Sequence, residues 1–229
     1  MKNAIVVGCS DGIGLALVKS LLNIDFHVTG ISKSCSDLSH QNYTHFVADV
    51  SSPAYIEILK DILSKLSSIE LCTYCAGVGE PLTVDNLWFE EKTFEVNLMG
   101  AVRTTTNVVG VMLKQGHGHF IGLSSIADAV LSKEAPSYSA SKAGISSFWE
   151  SMALFVKDKG VNISNIRFGF VDTKMAKGNF KPFMLSVESA VSQIMEVIER
   201  PRFRLTKSIR MDLLARIMGI PDKLSVLLK

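Results

Sequence analysis

The sequence lacks the features that mark several classes of protein. It has six prolines, 16 glycines and 20% charged residues among 229, which excludes a collagen-like or disordered chain. No uninterrupted apolar run approaches the roughly 18 residues of a membrane-spanning helix. The apolar segment 4–7 stops at Gly8 and is too short for the core of a signal peptide. We therefore expect a globular, cytoplasmic protein with no membrane span.

An excess of one charge is missing as well. The chain has 24 basic and 22 acidic residues, a net charge of +2, which gives no indication of a nucleic-acid partner. The four cysteines favour reduced thiols in a cytoplasmic chain. Cys72 and Cys75 have a CxxC spacing, but on an extended strand they point to opposite faces, which argues against a shared metal ion. No metal site is predicted.

The sequence does have an alternation of short β-branched runs and helical stretches, in a length typical of one large domain. This alternation predicts an α/β fold with a single doubly wound, Rossmann-type parallel sheet and helices on both faces. We assign residues 1–229 to this one domain. Predicted strands cover 3–7, 26–31, 44–48, 70–75, 119–123 and 161–168, and predicted helices cover 13–22, 53–66, 92–114, 138–157 and 187–199.

The first predicted strand runs into a glycine-rich turn with the spacing GxxxGxG. A strand, a glycine turn and a helix in this order let the backbone approach a pyrophosphate and direct helix N–H groups at it. The alternative is a tight turn without a ligand, and its place in the first βα unit weighs against that. The candidate cofactor contacts in this turn are Gly8, Ser10, Gly12, Ile13 and Gly14.

Tyr138 and Lys142 are four residues apart, which places them on one face of a helix. A neighbouring ammonium favours the phenolate and so lowers a phenol pKa of about 10, which gives the proton donor that carbonyl reduction needs. Ser125 follows a predicted strand, where active-site loops emerge in such sheets, whereas Ser124 faces elsewhere. Asn97 lies inside a predicted helix. The alternatives are a surface lysine beside a half-buried tyrosine, and a packing or helix-bending role for Asn97.

The glycine turn together with Asn97, Ser125, Tyr138 and Lys142, in this order and spacing, resembles the short-chain dehydrogenase/reductase family over residues 3–198. The resemblance implies an NAD(P)(H)-dependent oxidoreductase that transfers a hydride between nicotinamide and a small carbonyl or alcohol substrate. It implies that Tyr138 transfers the proton, Ser125 orients the carbonyl, and Lys142 binds the nicotinamide ribose. Asn97 would hold a water in a proton relay.

The resemblance carries over further cofactor contacts. Asp49 and Val50 match the adenine site, although a capping role for Asp49 is an open alternative. Ala76 and Gly77 resemble the end of the family's Asn-Asn-Ala-Gly turn, in which Tyr74 and Cys75 replace both asparagines. Phe168 stands where proline is usual. The backbone of Val171 and the hydroxyl of Thr173 match the contacts to the nicotinamide carboxamide.

The end of the second predicted strand favours NADP over NAD, although NAD stays possible. NAD-selective sites place a carboxylate there, which would repel a 2′-phosphate. This chain has Ser32 at that position, with the cationic Lys33 beside it, whereas Asp11 in the glycine turn is mildly unfavourable. We expect a modest discrimination of about 1–3 kcal/mol.

The last part of the chain departs from the strand–helix alternation. Residues 172–186 are interpreted as a substrate lid, whose apolar and lysine side chains fit either an apolar or an anionic substrate. Residues 200–229 form a basic tail with eight basic and two acidic residues. This tail predicts an amphipathic helix that closes the pocket or a subunit contact, or less favourably associates weakly with a membrane surface. Its apolar face contains Ile209, Leu213, Leu214, Ile217 and Met218.

Two predictions concern the protein as a whole. The resemblance implies a homodimer or homotetramer built on helices 92–114 and 138–157, although the same apolar residues would also suit an internal core. These residues are Val102, Val108, Val109, Phe148 and Met152. The alternative function is a non-catalytic protein that senses the cofactor, and the presence of Ser125, Tyr138 and Lys142 favours the enzyme.

Overall fold

A computed structural model describes residues 1–175 and 183–206, together with Leu213 and Ile217. The chain begins with β1 (Lys2–Val7), α1 (Gly12–Leu22), β2 (Phe26–Ser32), β3 (Tyr43–Val47), α2 (Tyr55–Lys65) and β4 (Leu71–Tyr74). A long helical segment follows as α3 (Trp88–Phe94), a π-helical turn (Glu95–Gly100) and α4 (Ala101–Gln115). The described residues end with β5 (Gly118–Ser125), a 3-10 turn (Ile126–Ala129), α5 (Pro136–Val156), β6 (Val161–Phe168), α6 (Val187–Glu199) and β7 (Arg204–Leu205).

The seven strands form one parallel sheet in the order β3-β2-β1-β4-β5-β6-β7. The chain builds outward from β1 in one direction and then from β4 in the other, so the order reverses between β1 and β4. Ligands bind beside such a reversal, at the carboxyl ends of the strands. The predicted doubly wound sheet is confirmed, and its reversal lies where the glycine turn follows β1.

Each face of the sheet carries its own apolar core. One core joins the sheet to α2, α4 and α5, and the other joins it to α1 and α6. Cys72 packs in the first core and Cys75 against the second, as their alternation along β4 predicts. All four cysteines are free thiols. Within residues 1–175 and 183–206, no helix is long and apolar enough to cross a membrane.

Apart from shifts of one or two residues at the ends of elements and two short 3-10 turns, the structure differs from the sequence prediction at three places. The helix predicted at 92–114 begins at Trp88 and contains the π-helical turn. Val108 and Val109, named as candidates for a subunit contact, are fully buried in the internal core. The short β7 pairs with Asn165 and Ile166 of β6 and was not predicted.

Most of the predicted tail helix lies outside the described residues. Leu213 and Ile217 are helical, with exposed side chains. Of the predicted lid, residues 176–182 also lie outside the described part of the chain.

Candidate active site

The glycine turn brings the end of β1 into backbone contact with the start of α1. Gly8 and Gly12 have φ values of 85° and 51°, which glycine adopts without strain. A Cβ on Gly14 would overlap the carbonyl oxygen of Gly8, and one on Gly8 would overlap the backbone of Ala76. The carboxylate of Asp11 accepts a hydrogen bond from the Gly12 N–H at 2.7 Å and caps α1. The turn is thus a bare backbone surface at the N-terminus of a helix.

The other predicted contacts near this turn come from two segments. Ala76 and Gly77 follow β4. Ala76 lies directly against Gly8, and Gly77 lies against the side chain of Asn97. Thr173 lies 3.3 Å from where a Cβ of Gly12 would stand, and Val171 forms a strand-like bridge with Leu185. Ser10 is half-buried in the turn, and Ile13 packs against the second core.

The first described residues of the predicted lid also contact the turn. Lys174 Nζ lies 2.6 Å from Asp11 Oδ2, and this ion pair holds the pKa of Asp11 below its ordinary value. The negative charge that was unfavourable for an anionic cofactor in the sequence analysis is therefore paired with a cation.

Ser125, Tyr138 and Lys142 converge at the carboxyl end of β5. Ser125 ends β5, and Tyr138 and Lys142 lie one turn apart on α5. The Ser125 hydroxyl lies near enough to Tyr138 to lower the pKa of the phenol. Lys142 is buried, donates to the Leu123 carbonyl at 3.0 Å, and places its Nζ 5.7 Å from the centre of the Tyr138 ring.

Burial controls the acidity of this group of side chains. It raises the pKa of Tyr138, and the nearby Ser125 hydroxyl acts in the opposite direction. It lowers the pKa of Lys142 to about 8, although the Asp128 carboxylate acts in the opposite direction. The predicted net lowering of the Tyr138 pKa is therefore wrong in this geometry, because burial of the phenol is the larger effect.

Asn97 lies in the π-helical turn and is 1% exposed. Its amide oxygen accepts from the Val78 N–H at 2.8 Å, and its amide nitrogen donates to the Val78 carbonyl at 2.8 Å and to Ser141 Oγ at 3.3 Å. Asn97 thus joins the loop after β4 to the helix that carries Tyr138. This is the packing alternative weighed above, and it leaves the predicted water relay as a prediction.

The segment predicted to meet the adenosine contains a charge cluster. Lys33 Nζ and Lys92 Nζ each lie 3.3 Å from Asp49 Oδ2, and Ser51 also donates to Asp49. Burial raises the pKa of Asp49, but these hydrogen bonds outweigh burial and hold the pKa well below its ordinary value. Asp49 is therefore charged, and Lys33 already has an anionic partner. Sequence reasoning did not identify Lys92, because only the fold brings α3 to the end of β3.

Ser32, the other predicted contact in this region, is 4% exposed. Its hydroxyl donates to the Ser34 carbonyl at 2.9 Å and lies 2.7 Å from His45 Nε2. It would have to leave these partners to donate to a phosphate. Val50 is buried, and its side chain packs against Gly100 of the π-helical turn.

Comparisons with known proteins show the family of the chain. Residues 2–182 match the family model for short chain dehydrogenases. The chain belongs to the short-chain dehydrogenase family. It is 29% identical over 189 residues to the 3-oxoacyl-[acyl-carrier-protein] reductase FabG of Escherichia coli, covering 77% of this chain and 76% of the relative. An uncharacterized oxidoreductase of Staphylococcus saprophyticus is 27% identical over 188 residues, covering 76% and 80%.

Solved structures support the fold of this short-chain dehydrogenase. A short-chain dehydrogenase from Streptomyces avermitilis superposes with a TM-score of 0.82 at 18% identity, covering 98% of this chain and 96% of the other. A 4-hydroxyisoleucine dehydrogenase in complex with NADH superposes with a TM-score of 0.78 at 21% identity, covering 86% and 91%. The chain is therefore an oxidoreductase of this family, whose members use nicotinamide cofactors.

Proposed function

We propose that this short-chain dehydrogenase reduces a carbonyl group with NADPH and that Tyr138 supplies the proton. The observation that carries the proposal is the meeting of Ser125, Tyr138 and Lys142 beside the glycine turn. The turn fits a dinucleotide, because its glycines leave the backbone at the start of α1 without side chains, in packing too close for a Cβ at Gly8 or Gly14. The N-terminus of α1 favours a pyrophosphate there. When bound, the nicotinamide supplies the hydride.

The protein's own residues orient the substrate oxygen and transfer the proton. Ser125 donates to the substrate oxygen and holds it beside the nearby Tyr138. Tyr138 gives its proton to the oxygen as negative charge develops there. Lys142 is charged below its pKa of about 8 and stabilises the resulting phenolate. Ala76, Gly77, Val171 and Thr173 would line the nicotinamide end, with Asn97 supporting the proton relay.

Tyr138→Phe tests this role. The variant should fold and bind NADPH as the wild type does, while kcat falls roughly 10²–10⁴-fold, because only the proton donor is lost. Activity would be measured as NADPH absorbance against a panel of ketones, aldehydes, quinones and 3-oxoacyl thioesters. The thioesters are the first choice, since the FabG relative is named as a 3-oxoacyl reductase.

Tyr55→Phe is the matched control. This substitution also removes a buried phenol hydroxyl. The Tyr55 hydroxyl lies 2.7 Å from Thr104 Oγ1, at a position away from the candidate active site. Near wild-type turnover by Tyr138→Phe would refute the assignment of the proton donor. NADPH binding without turnover of any carbonyl by the wild type would favour the non-catalytic, cofactor-sensing alternative.

The preference for NADP rests on Lys33. Its ammonium lies at the end of β2 and would meet a 2′-phosphate, but it must share its charge with Asp49. We therefore expect the lower end of the 1–3 kcal/mol range for a charge-assisted contact, about 1 kcal/mol or roughly fivefold in kcat/KM. Lys33→Ala should abolish that preference, so that kcat/KM becomes similar for the two cofactors. A wild-type preference for NAD, or an unchanged cofactor ratio in Lys33→Ala, would contradict the proposal and leave the dehydrogenase assignment intact.

We also infer that the protein forms a homodimer or homotetramer through α4 and α5. Val102, Phe148 and Met152 are partly buried against the first core and stay candidates for the contact, unlike the fully buried Val108 and Val109. The molar mass from light scattering at micromolar concentration tests this inference, and a monomer would contradict it.

A further inference from the structure

A buried ion pair lies directly behind the candidate active site. The side chains of Arg167 and Asp128 are 2% and 7% exposed. Arg167 Nε donates to Asp128 Oδ2 at 2.6 Å, and its Nη2 donates to Oδ1, so the contact is bidentate. Arg167 Nη1 also donates to Thr206 Oγ1 at 3.1 Å, beyond the end of β7. Neither residue of the pair has a role in the chemistry proposed above.

Asp128 belongs to the same short turn as Ser125. Ser125 opens the 3-10 turn Ile126–Ala129, and its Oγ accepts from the Ala127 N–H at 3.1 Å. The orientation of the Ser125 hydroxyl therefore depends on where this turn lies. Because Asp128 is the third residue of the turn, its contacts with Arg167 fix that position relative to β6.

A chain of hydroxyls continues from Asp128 to the helix that carries Tyr138 and Lys142. Ser146 Oγ lies 2.7 Å from Asp128 Oδ2 and 2.5 Å from Ser124 Oγ. An ionised carboxylate only accepts hydrogen bonds, so Ser146 donates to Asp128, and Ser124 in turn donates to Ser146. Ser146 is one turn after Lys142 on α5, and Ser124 precedes Ser125 on β5. These hydrogen bonds thus fix β5, the Ser125 turn and α5 to one another.

We propose that Asp128 and Arg167 are positioning residues, which hold the Ser125 turn against α5 through Ser146 so that Ser125 meets Tyr138. This inference rests on the proposed function and adds the part of the molecule that sets its geometry. The pairing of β5 with β6 does not need the ion pair, because the backbone register already continues from Gly118 to Ser125. Buried ion pairs are weak contributors to stability compared with apolar residues of similar size. A fixed separation of reacting groups is therefore the better account of this pair.

Ser146→Ala removes the hydrogen bonds that link Asp128 to Ser124 without leaving a buried charge unpaired. We expect amide hydrogen exchange within residues 126–129 to become at least severalfold faster, because the turn loses its attachment to α5. With the best carbonyl of the panel, kcat should fall about tenfold while the Kd for NADPH is unchanged, since misplacement of a reacting group by a fraction of an ångström slows the chemical step. Ser164→Ala is the matched control, because it also removes a buried hydroxyl. Ser164 lies on β6, and its Oγ is 2.8 Å from His119 Nε2, away from the Ser125 turn.

A double variant separates positioning from stability. Arg167→Met combined with Asp128→Leu removes both charges together, so neither is left buried alone, and the free energy of unfolding should stay near that of the wild type. We expect this folded variant to show the same faster exchange and a kcat reduced tenfold or more. Wild-type kcat in either variant, or unchanged exchange of residues 126–129, would overturn the proposal.

The two proposals fail in different ways. Absence of turnover by the wild type with every carbonyl would refute the proposed function, whereas hydrogen exchange would still decide whether the ion pair holds the turn. Loss of turnover in Tyr138→Phe together with full activity in the double variant would support the function and refute the positioning role.

Discussion

Lys142 is a buried cation, and its replacement by methionine should make the protein more stable and inactive. The ammonium contacts the Leu123 carbonyl and lies near Tyr138, without a carboxylate bonded to it among the described residues. Methionine has a similar length and no charge. The change therefore removes the unfavourable burial of a cation while filling nearly the same volume.

The pKa of Lys142 sets the size of the effect. Burial lowers it from 10.5 to about 8, which corresponds to about 3 kcal/mol at about 1.36 kcal/mol per pH unit. Below pH 8 the lysine is charged in both the folded and unfolded states, so the folded state carries the whole penalty. Between pH 8 and 10.5 only the unfolded chain keeps the proton, and stability rises with pH. Loss of the hydrogen bond to Leu123 offsets about 1–2 kcal/mol.

We therefore expect Lys142→Met to gain about 1–2 kcal/mol in the free energy of unfolding near pH 7, measured by urea denaturation. The gain should shrink as the pH approaches 10.5. Lys19→Met, at an exposed position on α1, is the control and should change stability by less than about 0.5 kcal/mol. A Lys142→Met variant that is less stable than the wild type near pH 7 would refute the reasoning.

Two other predictions follow from buried groups. Gly14→Ala should abolish NADPH binding and destabilise the fold, because its Cβ would overlap the Gly8 carbonyl. Gly110→Ala in α4 has open space around its Cβ and should stabilise the fold by roughly 0.5–1 kcal/mol. Calorimetry measures the stability of both variants, and cofactor fluorescence measures their NADPH binding. Burial lowers the pKa of His119 to about 4, so stability should fall by about 3 kcal/mol as the pH drops from 6.5 to 4. His119→Gln should lose that pH dependence in urea unfolding, and an unchanged pH dependence would contradict the assignment.

The strands and helices could be predicted because their signals are local. The helix predicted at 187–199 has the bounds observed for α6, since Ser186 caps its first turn and Pro201 follows its end. The meeting of Ser125 with Tyr138 and Lys142 could be predicted from spacing together with a family resemblance. Parallel strands place their carboxyl ends at one edge, so residues after β1, β4 and β5 come together there.

Other parts of the site depend on contacts that no local pattern carries. The pairing of Asp49 with both Lys33 and Lys92 joins three separate segments of chain. The pairing of Asp128 with Arg167 spans 39 positions in the sequence. The direction of the Tyr138 pKa was missed for the same reason, because burial depends on the whole fold.

The π-helical turn at Glu95–Gly100 makes the length of this segment as important as its composition. A π-helical turn contains one residue more than the α-helical path it replaces. Deleting one residue there would therefore restore a regular α-helix in which α3 and α4 keep the faces they present to their neighbours. Lys92 would stay beside Asp49, and Glu90 beside the Ser137 N–H that it accepts from at the start of α5. The deletion would instead displace Asn97 within the turn from Val78 and Ser141, so the extra residue matters for the link between the loop after β4 and α5.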